Sequence, residues 1–189
     1  MTSSHDAMET DRPKLKLSIA ERFRVRFQEP FEAMRKAGVR EGQTVADIGA
    51  GQGFFTIPAA VMVGAKGLVY SVEPDPERSQ RIRKRVASEG LQNVRVLETS
   101  AERLAEIPSG TVDLAFSAFT LHHFQDTNLA LSEVRRVLKD GGTFYVWDRV
   151  PGTIIRHGTR PEKLKDIAPG FRGFEVIKAQ RVVKARYTK

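Results

Sequence analysis

The chain has 189 residues and no cysteine. Disulfides, thiolate metal ligands and cysteine nucleophiles are thereby excluded. No apolar run approaches the roughly 20 residues that span a bilayer. The opening stretch, MTSSHDAMETDRPKLK, has no apolar core of the kind a signal peptide needs. These absences predict a cytoplasmic protein with no membrane partner. Aromatic residues are few, at 8%, with a single tryptophan. Aromatics interleaved with the cationic segments, such as single-strand nucleic-acid binders use to stack bases, are sparse.

Hydrophobic residues make up 40% and charged residues 29%, the balance of a globular protein able to bury a full core. The formal charge of +8 is unevenly placed. Residues 1–40 carry nine Lys/Arg against six Asp/Glu, residues 41–150 twelve against fourteen, and residues 151–189 ten against three. A basic end can meet an anionic partner such as RNA, or simply be solvated surface.

Segments 1–13 are polar and predicted to be disordered. Ile19, Phe23, Phe27, Phe31 and Met34 recur at helical spacing over 17–38, with Pro30 starting or kinking a second piece. From Thr44 the pattern alternates. Strands are predicted at Thr44–Ile48, Gly67–Glu73, Asn93–Glu98, Thr111–Ser117 and Thr143–Val150. Helices are predicted at Gly53–Gly64, Pro76–Glu89 and Thr127–Leu138, the last ended by Gly141 and Gly142, with a short one around Glu102–Glu106. That alternation implies βαβ units and a mostly parallel sheet with helices on both faces. The last 39 residues break the rhythm with glycines and prolines, a short helix near Glu162–Ile167, and two strands, Phe174–Ala179 and Val182–Tyr187. Those two lie close enough to pair as an antiparallel edge hairpin.

The most informative stretch is VADIGAGQGFFT, Val45 to Thr56. A buried strand ends in Asp47, glycines follow at 49, 51 and 53, and a helix begins. Glycine permits positive φ and close approach of a ligand to the backbone. The helix start behind the loop is expected to offer unpaired N–H groups. A dinucleotide fingerprint reads G-x-G-x-x-G; here the register is G-x-G-x-G, and Phe54 stands where the third dinucleotide glycine belongs. Glu73 ends the second strand 22 residues after Gly51. A carboxylate there can accept hydrogen bonds from a ribose, in either kind of cofactor.

Later segments occur in one order with this loop: SVEPD at 71–75, TSAER at 99–103, DLAFSAF at 113–119 followed by LHHF, and EVRRVLKDGGTFYVWD at 133–148. Together they resemble class I S-adenosylmethionine-dependent methyltransferases, in particular the branch similar to ubiquinone/menaquinone biosynthesis enzymes. The resemblance covers about residues 38–150, some three-fifths of the chain. It implies a Rossmann-like, mostly parallel seven-stranded sheet with an antiparallel C-terminal edge hairpin. It implies one domain over 14–189: an N-terminal helical lid at 14–40, a cofactor core at 41–150 and a basic edge at 151–189.

The resemblance also implies a site for S-adenosyl-L-methionine. Asp47, Gly49, Ala50, Gly51 and Gly53 are expected around the methionine end. Glu73 is expected on the ribose and Pro74 near the adenine. Ser100, Ala101 and Glu102 are expected to cup the adenine. Ser117 and Ala118 are expected beneath the transferable methyl, with Phe119 lining the same space. His122 and His123 are the candidate general bases, histidine being the side chain suited to that role; the sequence does not choose between them. Trp147 and Asp148, at the end of the fifth strand, either border the acceptor side or, the reading favoured for Trp147, pack in the core or rim. Methyl transfer is an in-line displacement needing positioning and dryness more than a strong catalytic motif. No metal site is expected. The acceptor implied is a small molecule, with RNA the alternative through the basic termini and the arginine-rich segment RSQRIRKR at 78–85, and with a cofactor-binding protein lacking transferase activity a further one. The region between the fifth and sixth strands is short, so a homo-oligomer partner is a further way to close the cleft.

Overall fold

A computed structural model describes residues 29–151, 158–160, 164, 170–178 and 182–189. The expected disorder of 1–13, the helix over 17–28 and all but Leu164 of the helix near Glu162–Ile167 lie outside the described residues.

The described chain begins with helix α1, Pro30–Ala37. Pro30 sits in the first turn, where a missing N–H costs nothing, and the Gly38 N–H closes the helix on the carbonyls of Met34 and Arg35. Strand β1, Thr44–Ile48, is buried from Val45 onward, as an apolar run covered on both faces must be. Helix α2 spans Thr56–Val63, β2 Leu68–Val72 and α3 Pro76–Ser88. Asp75 caps α3 by accepting from the Arg78 N–H at 3.0 Å. Strand β3 is Val94–Leu97 and β4 is Val112–Ala118. A 3-10 turn at Leu121–His123 precedes helix α4, Thr127–Val137. Strands β5, Leu138–Arg149, β6, Gly173–Lys178, and β7, Val182–Thr188, complete the sheet.

The seven strands lie in the order β3-β2-β1-β4-β5-β7-β6. The first five are mutually parallel; β7 is antiparallel to both β5 and β6. This is the expected sheet with its antiparallel edge. The chain moves outward from β1 through β2 to β3, then returns to lay β4 on the other side of β1. The order therefore reverses between β1 and β4, and ligands of such sheets bind beyond the strand ends at that point. Apolar layers cover both faces of the sheet, one built around Ile48, Ala115 and Val146, the other around Val45, Phe116 and Tyr145.

Two local expectations fail for physical reasons. No helix forms at Glu102–Glu106, where the chain makes turns. Side chains of α4 satisfy its backbone instead: the Leu104 N–H donates to the Glu133 carboxylate at 2.9 Å, and Arg136 donates to the carbonyls of Leu104 and Ile107 at 2.8 and 3.1 Å. Leu104 and Ile107 are thereby drawn fully into the core. Gly141 and Gly142 do not end α4 either. The helix stops at Val137 and β5 starts at once; the glycines sit within β5, where the pairing with β4 shifts register between Val112 and Leu114. A Cβ on Gly142 would stand 2.8 Å from the Lys139 carbonyl oxygen.

Candidate active site

The loop after β1 and the end of β2 are tied to each other. The N–H groups of Gly49 and Ala50 both donate to the Val72 carbonyl at 2.9 Å. The Gly51 N–H donates to Glu73 Oε2 at 2.8 Å, and the Gly53 N–H to the Ala50 carbonyl at 2.9 Å. Three of these donors hold the loop against the end of β2, and the fourth, that of Gly53, closes a turn within the loop. The loop presents its open backbone and the acids around it. Gly49 and Gly51 have φ of +74° and +61°, a region that side chains with a Cβ rarely adopt.

A cavity of about 480 Å³ opens over this loop at the C-terminal ends of β1, β2 and β4. Of the residues singled out from the sequence, Asp47, Gly49, Ala50, Gly51, Glu73, Pro74, Ala118, Phe119 and His123 line it. A second cavity of equal volume lies at the opposite end of the sheet, lined by Arg35, Lys36, Arg40, Lys139 and Arg186 among others. The glycine loop and the strand-order reversal assign the site to the first.

Asp47 is 3% exposed and accepts from the Thr56 hydroxyl at 2.7 Å. Burial pushes its carboxyl up to about 7; the Thr56 hydrogen bond works against this, and the nearby Glu73 charge adds to it. Glu73 is equally buried. Its Oε2 accepts from Gly51 and its Oε1 from the Asp75 N–H at 3.1 Å, with an Arg78 nitrogen 3.9 Å away. Each carboxylate oxygen has a second lone pair, so Glu73 can clamp the loop and still accept from a ligand hydroxyl.

The other sequence candidates lie outside the cavity lining. Gly53 is where α3 packs: a Cβ there would meet Ile82 at 3.3 Å. Ala101 is core. The Glu102 carboxylate accepts from the N–H groups of Gln125 and Asp126 at 2.9 and 3.3 Å, so it caps the approach to α4. Burial pushes Glu102 up, but the Ser100 hydroxyl and these amides outweigh it and hold the group below the usual range. Ser117 is buried, its hydroxyl without a partner among the described residues. The two histidines separate. His122 Nδ1 lies 3.0 and 3.1 Å from the two oxygens of the fully buried Asp148, which also accepts from the Thr159 hydroxyl at 2.7 Å. His123 packs against His122, the rings tilted by 41° with centroids 4.0 Å apart, and lines the cavity.

Sequence reasoning missed Gln52, Phe55, Arg78 and Thr120 in the lining. Thr120 had a signal: it fills the space that Gly49 leaves, since a Cβ on Gly49 would stand 2.0 Å from Thr120 Cγ2. Gly49→Ala should therefore lose about 3 kcal/mol of stability, from the clash and from the positive φ together. Chemical denaturation checks this. Adding Thr120→Ala should recover part of the loss, and no recovery would remove the clash as its cause.

A family profile described as a methyltransferase domain matches residues 46–146, just over half of the chain. The chain belongs to this methyltransferase family. It is 34% identical over 112 residues to the ubiquinone/menaquinone biosynthesis C-methyltransferase UbiE of a Marinomonas species, a match covering 59% of this chain and 44% of that protein. It is 29% identical over 120 residues to the aklanonic acid methyltransferase DauC of a Streptomyces species, covering 64% and 52%. The crystal structure of a SAM-dependent methyltransferase from Aquifex aeolicus matches with a TM-score of 0.74 at 28% identity, over 87% of this chain and 92% of that one. The chain spans about half the length of the curated relatives it matches.

S-adenosylmethionine is the cofactor of this methyltransferase class, and the residues fit it. Asp47 is a buried acid lining the cavity, which would face the ammonium and sulfonium. Glu73 is a carboxylate with lone pairs left over, which would accept from the ribose hydroxyls. A Cβ built on Gly51 meets nothing within 4 Å, so the loop backbone is open on its outer side. Among the described residues no lysine lines the cavity, and this cofactor has no phosphate to hold. Among the described residues, no helix is long and apolar enough to cross a membrane.

The cationic segments are largely engaged at home. Arg81 and Arg83 pair with Glu77 and Glu98 at 3.8 and 3.4 Å, and Arg85 donates to the Gln52 carbonyl at 2.8 Å. Arg186 donates to the Lys36 carbonyl and Lys189 to that of Leu138, at 2.8 and 2.7 Å.

Proposed function

We propose that this protein transfers the methyl group of S-adenosylmethionine to a small-molecule acceptor in the cytoplasm. The observation that carries this reading is the convergence of Asp47, Glu73 and the glycine loop on one cavity at the sheet's switch point. When bound, the cofactor supplies an activated methyl on a sulfonium, with a neutral leaving group. The protein's part is then to bind, orient and keep water out. Asp47 faces the cationic end, Glu73 holds the ribose, and Pro74 packs beside the base. Phe54, Phe55 and Phe119 give the cavity its apolar walls. Where the acceptor must lose a proton, His123 takes it, being the histidine at the cavity. His122, held by Asp148, supports the ring of His123 from behind.

Relatives named for ubiquinone/menaquinone biosynthesis and for aklanonic acid support a small acceptor rather than a polymer. Incubation of the protein and methyl-labelled cofactor with a cell extract tests the reading. The label should appear in the low-molecular-weight fraction. Label confined to RNA would replace the acceptor class, and no transfer to any fraction, despite cofactor binding, would leave a binding protein.

A further inference from the structure

The aromatic wall of the cavity continues past it to two cations. Phe55 and Phe119 line the cavity, and both contact Trp147, with ring centroids 5.9 and 5.4 Å away. Trp147 sits opposite Lys184 in the β5–β7 register, and the Lys184 ammonium stands 4.3 Å from the indole centroid. The Arg149 guanidinium stands 5.4 Å from the Phe119 ring. Among the described residues, no carboxylate pairs with Lys184 or Arg149. Burial, and then the like charge of Lys36, both lower the Lys184 pKa, so this ammonium is partly desolvated without a counter-ion.

Two further features set the wall apart. Trp147 is 8% exposed, and its indole N–H has no hydrogen-bond partner among the described residues. A buried unpaired donor is costly, and a group left that way asks for a ligand atom. Phe119 is the sole non-glycine described residue with positive φ, at 57°. Its N–H is fixed to the Trp147 carbonyl at 2.7 Å. Strain of this kind survives where the surroundings enforce it, and it gathers at ligand sites. Cation–π attraction accounts for the two cations resting on the rings. It leaves their charge unbalanced and the indole donor unused.

We propose that the acceptor is a planar organic acid, its ring against Phe119 and Trp147 and its anionic oxygens held by Lys184 and Arg149. The proposal rests on the methyltransferase reading above and narrows its substrate class. A carboxylate or enolate brings what the wall lacks, a counter-charge for two cations and an acceptor for the indole N–H. With the two rings tilted 47° to each other, a flat ligand ring can lie face-on to one and present its edge to the other.

Trp147 is the chain's single tryptophan, so intrinsic fluorescence reports on this wall alone. The test titrates protein saturated with S-adenosylhomocysteine with 4-hydroxybenzoate and, separately, with its neutral methyl ester. The acid should shift the emission saturably and bind at least tenfold more tightly than the ester. Lys184→Gln should remove that preference and leave the ester's affinity as it was, while Lys184→Arg should keep it. Calorimetry with S-adenosylhomocysteine on each variant should give the wild-type value, which verifies folding. Equal binding of acid and ester, no binding of either, or a preference that survives in both Lys184→Gln and Arg149→Gln would overturn the proposal. Failure of the wild-type protein to bind S-adenosylhomocysteine would instead refute the cofactor reading beneath it.

Discussion

Glu73→Ala should weaken S-adenosylhomocysteine binding at least ~100-fold, since hydrogen bonds to a buried charged group are worth about 1.5–3 kcal/mol each and two are lost. The loss has two sources. The carboxylate's free lone pairs face the cavity, where ribose hydroxyls need acceptors. Its other lone pairs receive the Gly51 and Asp75 N–H groups at 2.8 and 3.1 Å, so the loop loses its tie to the end of β2 as well. A ligand pair separates the two. Wild-type protein should prefer S-adenosylhomocysteine over its 2′,3′-dideoxy analogue by a large factor. Glu73→Ala should bind both alike, whatever happens to the loop. Glu73→Gln keeps one accepting oxygen and should lie between. Calorimetric affinity unchanged in Glu73→Ala would sink the assignment of the ribose site.

How much of this site was legible beforehand depends on which physical signal each residue leaves. Asp47, Glu73 and the three glycines sit at strand ends in a fixed order, and backbone geometry alone makes that pattern visible. The mostly parallel sheet was legible for the same reason, because strands alternating with helices imply βαβ units. The Glu102–Glu106 segment misled because its partners are 29 and more residues away: Glu133 and Arg136 take over the hydrogen bonds that a local helix makes for itself. The glycine pair at 141–142 reads as a helix stop, yet a bulge in a strand asks for the same residues. The histidines differ only in direction. Both sit on one short turn, and it is Asp148, buried on the neighbouring strand, that draws His122 away and leaves His123 at the cavity. A sequence cannot show that choice, since Asp148 reads equally well as rim.

Asp47→Asn should stabilise the cofactor-free protein at pH 8 while abolishing most of its cofactor affinity. Burial holds the Asp47 carboxyl at about 7 against an ordinary 3.8. Between those values the folded protein keeps a proton that the unfolded chain has released. Stability therefore falls as pH rises through that window, and the full cost is present above pH 7. A shift of about three pH units sets a ceiling near 4 kcal/mol on that cost. Asparagine removes it and can still accept from the Thr56 hydroxyl. The melting temperature of Asp47→Asn should exceed wild type by several degrees at pH 8, with the gap closing toward pH 4. Binding moves the other way. The cationic end of the cofactor favours the ionised carboxylate, so binding below pH 7 must first expel a proton. Wild-type affinity for S-adenosylhomocysteine should then fall about tenfold per pH unit well below 7. The asparagine variant should bind weakly at every pH, with no such slope. Melting curves that run parallel across the range, or a variant that binds as tightly as wild type at pH 8, would mean that Asp47 is a structural acid that never meets the ligand's charge. The acid that most burdens the empty fold is, on this account, the one that recognises the cofactor, and the pH slope is where the two roles are seen together.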